Sequence, residues 1–284
     1  GVLYLNPEKY APVETTEADA KAVFYSNTLG TETNAGFKTS GEKLKFLIRG
    51  NYAAHSDYET GDGERVTNTR YKEWDLKTGL GYRTNNYKAD LRYNLNSSKL
   101  GIPEEIGLQS TSREIIEPYQ SVQNHILSLD NSFYFDASSL DVKLGYLFNN
   151  RKEFEEEHEE EHEEESEEEH ELHEGEPALQ MHLETFNYDV KYHLPRKGNF
   201  ETIVGLQGMY QTNSNLGEEI LIPDAATTDV GLLATTHYHL EKVDFQAGLR
   251  YDHRNIEGEA TVSYTHLRAH ETVLDLVCRL LLEK

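Results

Sequence analysis

The chain is short of several things that would each point somewhere definite. It has one cysteine, Cys278, in 284 residues, which excludes an internal disulfide framework and a tetrathiolate zinc centre. It has no run of about 18 apolar residues, the length a membrane-spanning helix needs. Positive charge is scarce too. Only 27 Lys+Arg face 51 Asp+Glu, a formal net charge of -24, and that balance excludes nucleic-acid binding by counterion release. No charged and then apolar leader follows Gly1, so a secretory signal is expected outside this sequence.

What is present begins with an uneven distribution of acid. Between Glu153 and Glu176 lie 16 Glu and no base, so 35 acids stand against 27 bases elsewhere, a net of -8. The rest is rich in Tyr, 18 against one Trp and two Met. A hydrophobic share of 37% suits strands that are apolar on alternate residues only. A transmembrane barrel is built that way, because one face of each strand meets lipid and the other can be polar.

Strict alternation recurs along the chain. In 44–52 the even positions Leu44, Phe46, Ile48 and Tyr52 are apolar while Lys45, Arg49 and Asn51 are polar, with Leu47 the lone exception. Trp74, Leu76, Leu80 and Tyr82 alternate with Asp75, Lys77 and Arg83, and Tyr87, Leu91, Tyr93 and Leu95 with Lys88, Asp90, Arg92 and Asn94. The same period runs through 127–135, 140–148, 186–194, 200–210, 230–240 and 243–251. A strand places the two sets on opposite faces. With less regular candidates at 22–27 and 31–39, the pattern predicts about eleven strands.

The links between them alternate in length. Those at 40–43, 84–86, 137–139, 195–199 and 241–242 are tight, and those at 57–70, 97–124, 152–180 and 212–228 are long. Outer-membrane barrels have short periplasmic turns and longer extracellular loops. A soluble sandwich also hides one face of each strand, but it has no reason to place every long link at one end. The fold expected is therefore all-β, an antiparallel transmembrane β-barrel.

With these residues in view, the chain resembles a TonB-dependent outer-membrane receptor of the kind found in Bacteroidetes-type bacteria. Gly1-Val2-Leu3-Tyr4-Leu5-Asn6-Pro7 is similar to the end of the plug domain, and 22–30 to the entry into the barrel. Segments 44–52, 76–82 and 140–151 follow the family's barrel pattern, and the likeness extends over 1–260. The resemblance implies a barrel of about 22 strands with a plugged lumen, of which roughly half is here. Residues 1–12 would end the plug and 13–260 would form the N-terminal half of the barrel. The remaining plug, with its TonB-contacting segment, would precede Gly1. The partners implied are the outer-membrane bilayer of a Gram-negative cell and the TonB complex, with no nucleic acid. Residues 261–284 depart from the pattern. Leu274, Val277, Leu280 and Leu281 have helical spacing, and the segment reads as a non-native tail.

One segment carries site chemistry. From Glu155 to His170 a unit of three Glu and one His repeats, with Ser166 in place of one His, and His173 follows. On a helix His158, His162 and His170 would share one face. Imidazoles suit zinc, copper, nickel or iron, and the glutamates add charge and oxygen ligands. The run by itself reads equally as a solvated charge block. Its place in a long external link favours metal capture, and similar loops occur in receptors that look like zinc importers. The candidate metal ligands are His158, His162, His170 and His173, with His55 at the outer end of its strand. His158-Glu159-Glu160-Glu161-His162 also matches the zincin pattern. Such a match is nearly automatic in a Glu repeat, and nothing apolar surrounds it.

No spacing of Ser, His and Asp singles out a catalytic triad, so no enzyme activity and no required cofactor are expected. The function expected is uptake of zinc, another divalent metal or a metal chelate. The rivals are a receptor for siderophore, haem or oligosaccharide with the acidic link a passive spacer, an outer-membrane enzyme barrel, and a soluble sandwich adhesin. His193, His237 and His239 fall on polar faces and read as lumen-lining groups.

Overall fold

The structure, a computed structural model, describes residues 7–103, 107, 109–155, 176–217 and 219–258, together with the backbone of 269–282. The alternating segments are strands: β1 (Thr15–Tyr25), β2 (Gly30–Ser40), β3 (Leu44–His55), β4 (Tyr71–Arg83), β5 (Tyr87–Gly101), β6 (Tyr119–Tyr134), β7 (Ser139–Phe154), β8 (Leu179–His193), β9 (Phe200–Asn215), β10 (Ala225–His239), β11 (Val243–Gly258) and β12 (Ala269–Leu282). They form one open antiparallel sheet in chain order, each strand hydrogen-bonded to its sequence neighbours. Tight turns close one end, as in Gly41 N–H to Leu44 C=O at 2.8 Å and Thr84 N–H to Tyr87 C=O at 2.7 Å. The longer links gather at the other end.

The eleven strands expected are β1–β11. One expectation is corrected: the segment whose apolar residues are spaced as in a helix runs as β12. Its backbone pairs with β11 from Ile256↔Ala269 to Val243↔Leu282. The physical reason is the edge of β11: a row of unpaired donors and acceptors recruits a neighbouring apolar segment whatever the spacing of its side chains.

The alternation sorts as read. One row of the outer face crosses five strands as Leu80↔Leu91↔Leu129↔Leu144↔Tyr188. That face has no protein cover, so Leu80 is 49%, Leu232 56% and Leu249 50% exposed. Among the described residues the side chains under 2% exposed are Leu47, Asn68, Asp57 and Ser56, three of the four polar. A water-soluble sandwich buries its large apolar side chains between two sheets. This sheet turns them outward and buries polar groups, the arrangement of a barrel wall in lipid.

Candidate functional site: the inner face and its outer rim

The inner face is marked by what sits on it. Residues 7–12 lie across β2–β5, and Arg49 of β3 is the hub. Its guanidinium donates to Glu8 at 2.9 and 3.0 Å and to Asp19 of β1 at 2.8 Å, and it also reaches Asn34 of β2. Hydrogen bonding to Arg49 holds the Glu8 carboxyl below its usual range against the opposing effect of burial. Lys38 joins the cluster, 3.1 Å from Glu17 and 3.7 Å from Glu8.

Two residues on, Tyr10 donates to Asp90 at 2.8 Å and lies under the Arg92 guanidinium at 4.2 Å, while Arg92 also donates to the Glu8 carbonyl at 2.9 Å. Burial, then the Asp90 bond, pushes the Tyr10 phenol up. The ring fits because β4 offers Gly79, where a Cβ would lie 2.8 Å from the Tyr10 hydroxyl. Leu47, the one break in the alternation, is 1% exposed and lines a small cavity with Pro7 and Glu8. It is apolar on a polar face because the 7–12 segment covers it.

Further up this face an amide ladder crosses five strands. Asn149 donates to Asn124 at 2.6 Å, Asn124 to Asn96 at 3.3 Å, and Asn96 to Asp75 at 2.8 Å, while Asn51 donates to Asp75 from the other side at 3.2 Å. Each amide thereby satisfies the next, and a single carboxylate collects both ends. Across β7–β11 the same face is open. A cavity of about 680 Å³ is lined by Lys143, Asp189, Gln207, Asp229, Arg250 and Asp252 among others. Its charges pair locally, Lys191 with Asp189 at 2.7 Å, Arg250 with Asp252 at 2.6 Å and Arg254 with Asp229 at 2.7 Å.

At the outer rim three links interlock. Asp57 is fully buried and takes the backbone N–H and Nε of Arg70 at 3.1 and 3.0 Å, besides a contact with the guanidinium terminus. Arg70 donates onward to the Glu114 carbonyl at 2.8 Å. Asn68, at a positive φ of 60°, spends its amide on the carbonyls of Ile102, Ile116 and Pro118. Arg113 reaches back to the Leu29 carbonyl. The links 26–29 and 56–70 and the described residues of 102–118 are thus one hydrogen-bonded platform.

Of the predicted metal ligands, His55 sits beneath that platform. Its Nδ1 shares a 2.7 Å hydrogen bond with Thr28 Oγ1, and its ring stacks on Tyr71 at 4.5 Å. A Cβ at Gly30 would come within 2.1 Å of that nitrogen, so only glycine admits the ring. Nε2 has Glu32 at 3.6 Å and no hydrogen-bond partner among the described residues. No group of three or more His, Cys, Asp or Glu among them is arranged to hold a metal. His158, His162, His170 and His173 lie outside the described residues. Their link leaves β7 and re-enters at β8 through the directly paired Glu153↔Leu179, at the same end as the platform. His193 pairs with Asp141 at 3.0 Å and His239 with Asp244 at 2.7 Å near the tight turns. Sequence reading missed the Arg49 hub and the Asp57–Arg70 clamp. The available signal was a buried-face register that brings Arg49, Asn34 and Asp19 onto adjacent strands.

No protein-family model matches the chain, and no curated protein matches it in sequence. Solved structures do match it. The copper transporter OprC superposes with a TM-score of 0.63 over 95% of this chain and 42% of its own, at 14% identity. The FrpB iron transporter from Neisseria meningitidis gives 0.65 over 92% and 42%, at 14% identity, and the ferric citrate transporter FecA 0.60 over 91% and 40%, at 10% identity. The fold is an open antiparallel sheet shaped like part of the barrel of these transporters. The chain spans less than half the length of the solved chains it matches.

Proposed function

We propose that this chain is wall and outer rim of a TonB-dependent transporter in a Gram-negative outer membrane, and that the cargo is a divalent metal, zinc foremost, or a metal complex. In this reading residues 7–12 are the end of a plug held against the wall, and energy arrives through TonB. The observation that carries the metal assignment is the position of the His–Glu run. In sequence it falls between β7 and β8, whose paired Glu153↔Leu179 end lies at the rim of an inner face lined with paired charges. A polyanion there raises the local concentration of cations, and imidazoles supply nitrogen ligands for borderline metals. A ferric chelate or haem is the second reading, favoured by neighbours described as a ferric citrate transporter and a hemophore receptor.

The test is calorimetric titration of zinc into the receptor carrying this chain, in detergent, against a variant with His158, His162, His170 and His173 changed to Ala. Loss of tight binding in the variant is the expected result. Equal binding by both proteins would leave the run a spacer and move the second reading forward.

A further inference from the structure

The outer face of β4–β8 sorts its charges in an unexpected way for so acidic a chain. Its outward positions hold one acid, Glu184, and three bases, Lys72, Lys99 and Lys152. The three bases fall on one row of the register, Lys72↔Lys99↔Ser121↔Lys152, at the rim end of the sheet. Lys72 and Lys99 are directly opposed on adjacent strands. Side chains so placed have Cβ atoms about 5 Å apart, and like charges there destabilise the pair. None of the three has a carboxylate partner among the described residues, and Lys99 lies over the face of Tyr119, 3.8 Å from its ring centroid. Tyr119 is itself stacked on Phe154 at 4.4 Å.

Beneath this row the face changes character by steps. The next row carries Trp74 and Gln123, and the one after it His125 and Phe148. There a groove of about 460 Å³ opens between β5 and β8, walled by Tyr93, His125, Leu127, Tyr146 and Phe148, with Glu184 at its end. The Tyr93 hydroxyl and His125 Nδ1 hold each other at 2.8 Å in that wall. Ammonium groups above and an aromatic groove below, on a face without protein cover, match an amphiphile standing upright in the outer leaflet.

We propose that Lys72, Lys99 and Lys152 bind the phosphate-bearing headgroup of an anionic lipid whose acyl chain lies in the groove beneath. The proposal rests on the outer-membrane reading given above. An anion between Lys72 and Lys99 converts their repulsion into two attractions, and Ser121 adds a hydroxyl donor on the same row. Lys72 and Lys99, on adjacent strands about 5 Å apart, lie within a Debye length of about 8 Å at physiological salt, and Lys152 stands two strands further along the row.

The experiment titrates the detergent-extracted, delipidated receptor carrying this chain with bis-phosphorylated lipid A in neutral mixed micelles, following bound lipid by native mass spectrometry. The Lys72→Gln, Lys99→Gln, Lys152→Gln triple variant is expected to bind at least tenfold more weakly and with less salt dependence. Lys77→Gln, on the inner face of β4, is expected to bind like wild type, and lipid stripped of phosphate to bind weakly to all three. Equal affinity of wild type and triple variant for the phosphorylated lipid would overturn the proposal. So would binding that appears only when residues 156–175 are deleted, because the lysines would then belong to the acidic run. A protein recovered without detergent would instead sink the membrane reading itself.

Discussion

The two halves of the sheet are made of the same alternating strands, yet their inner faces are finished differently. Over β2–β5 the wall is occupied: Glu8 and Tyr10 take Arg49, Arg92 and Asp90, and the links above are clamped through Asp57, Arg70 and Asn68. Over β8–β11 the wall is open, and its charges pair with neighbours two residues along the same strand, as Asp189 with Lys191 and Arg250 with Asp252. One oxygen of Asp189 is buried there with no hydrogen-bond partner among the described residues. The difference teaches what the polar face is for. Its groups can take a filling segment, as Arg49 and Arg92 take Glu8, and over β8–β11 they line a cavity with pairs among themselves.

The largest expected effect is at the clamp above the occupied half. Asp57→Ala leaves Arg70, 3% exposed, as an uncompensated buried cation, a change that costs about 3–5 kcal/mol. Because the same guanidinium holds the Glu114 carbonyl, the platform loosens with it. The outcome expected is new protease cleavage within 56–70 and 102–118 at temperatures where wild type is intact, and an uncleaved variant would show that the clamp is not what ties these links.

The comparison between halves is sharpened by one pair of substitutions. Arg49→Ala strands the partly buried Glu8 carboxylate, at about 2 kcal/mol for the lost charged hydrogen bonds. Arg250→Ala removes a pair whose partners are 40% and 39% exposed, so about 1 kcal/mol or less is expected after solvent screening. Thermal unfolding in detergent should separate the two variants clearly. Equal shifts would mean that the seated segment adds nothing to the wall.

Much of this was legible in the sequence because the side-chain period of a strand is two and the register fixes the face. The alternation of 44–52 and 74–95 places Phe46 and Leu80 outward and Arg49, Asp75 and Arg92 inward without any coordinates. Even the single misfit, Leu47, carried information, since an apolar residue on the polar face needs a cover and 7–12 supplies it. Cross-strand partners were not legible. Asn51, Asp75, Asn96, Asn124 and Asn149 are scattered over about a hundred residues, and only the strand offsets bring them into one ladder. The spacing of Leu274 to Leu281 misled for a related reason: an open strand edge decides the backbone of a segment whose own preference is weak.

The smallest effect tests the occupied half through pH. Glu8 has its carboxyl lowered by Arg49 relative to its ordinary value. A carboxylate depressed on folding binds fewer protons folded than unfolded over that interval, so its stabilisation is present above the ordinary glutamate range, about 4.3, and is lost as pH falls towards the depressed value. Segment 7–12 should therefore loosen from the wall below roughly pH 4, while Tyr10 and Arg92 keep part of the contact. Hydrogen exchange at residues 8–12 between pH 3 and pH 6 reads this directly. Glu8→Gln, which cannot ionise, should show weaker protection at neutral pH and a flat profile across the interval. A variant that keeps the wild-type slope would shift the pH dependence to Asp19, the other carboxylate on Arg49, and the seating of the segment would then rest on the Tyr10 notch alone.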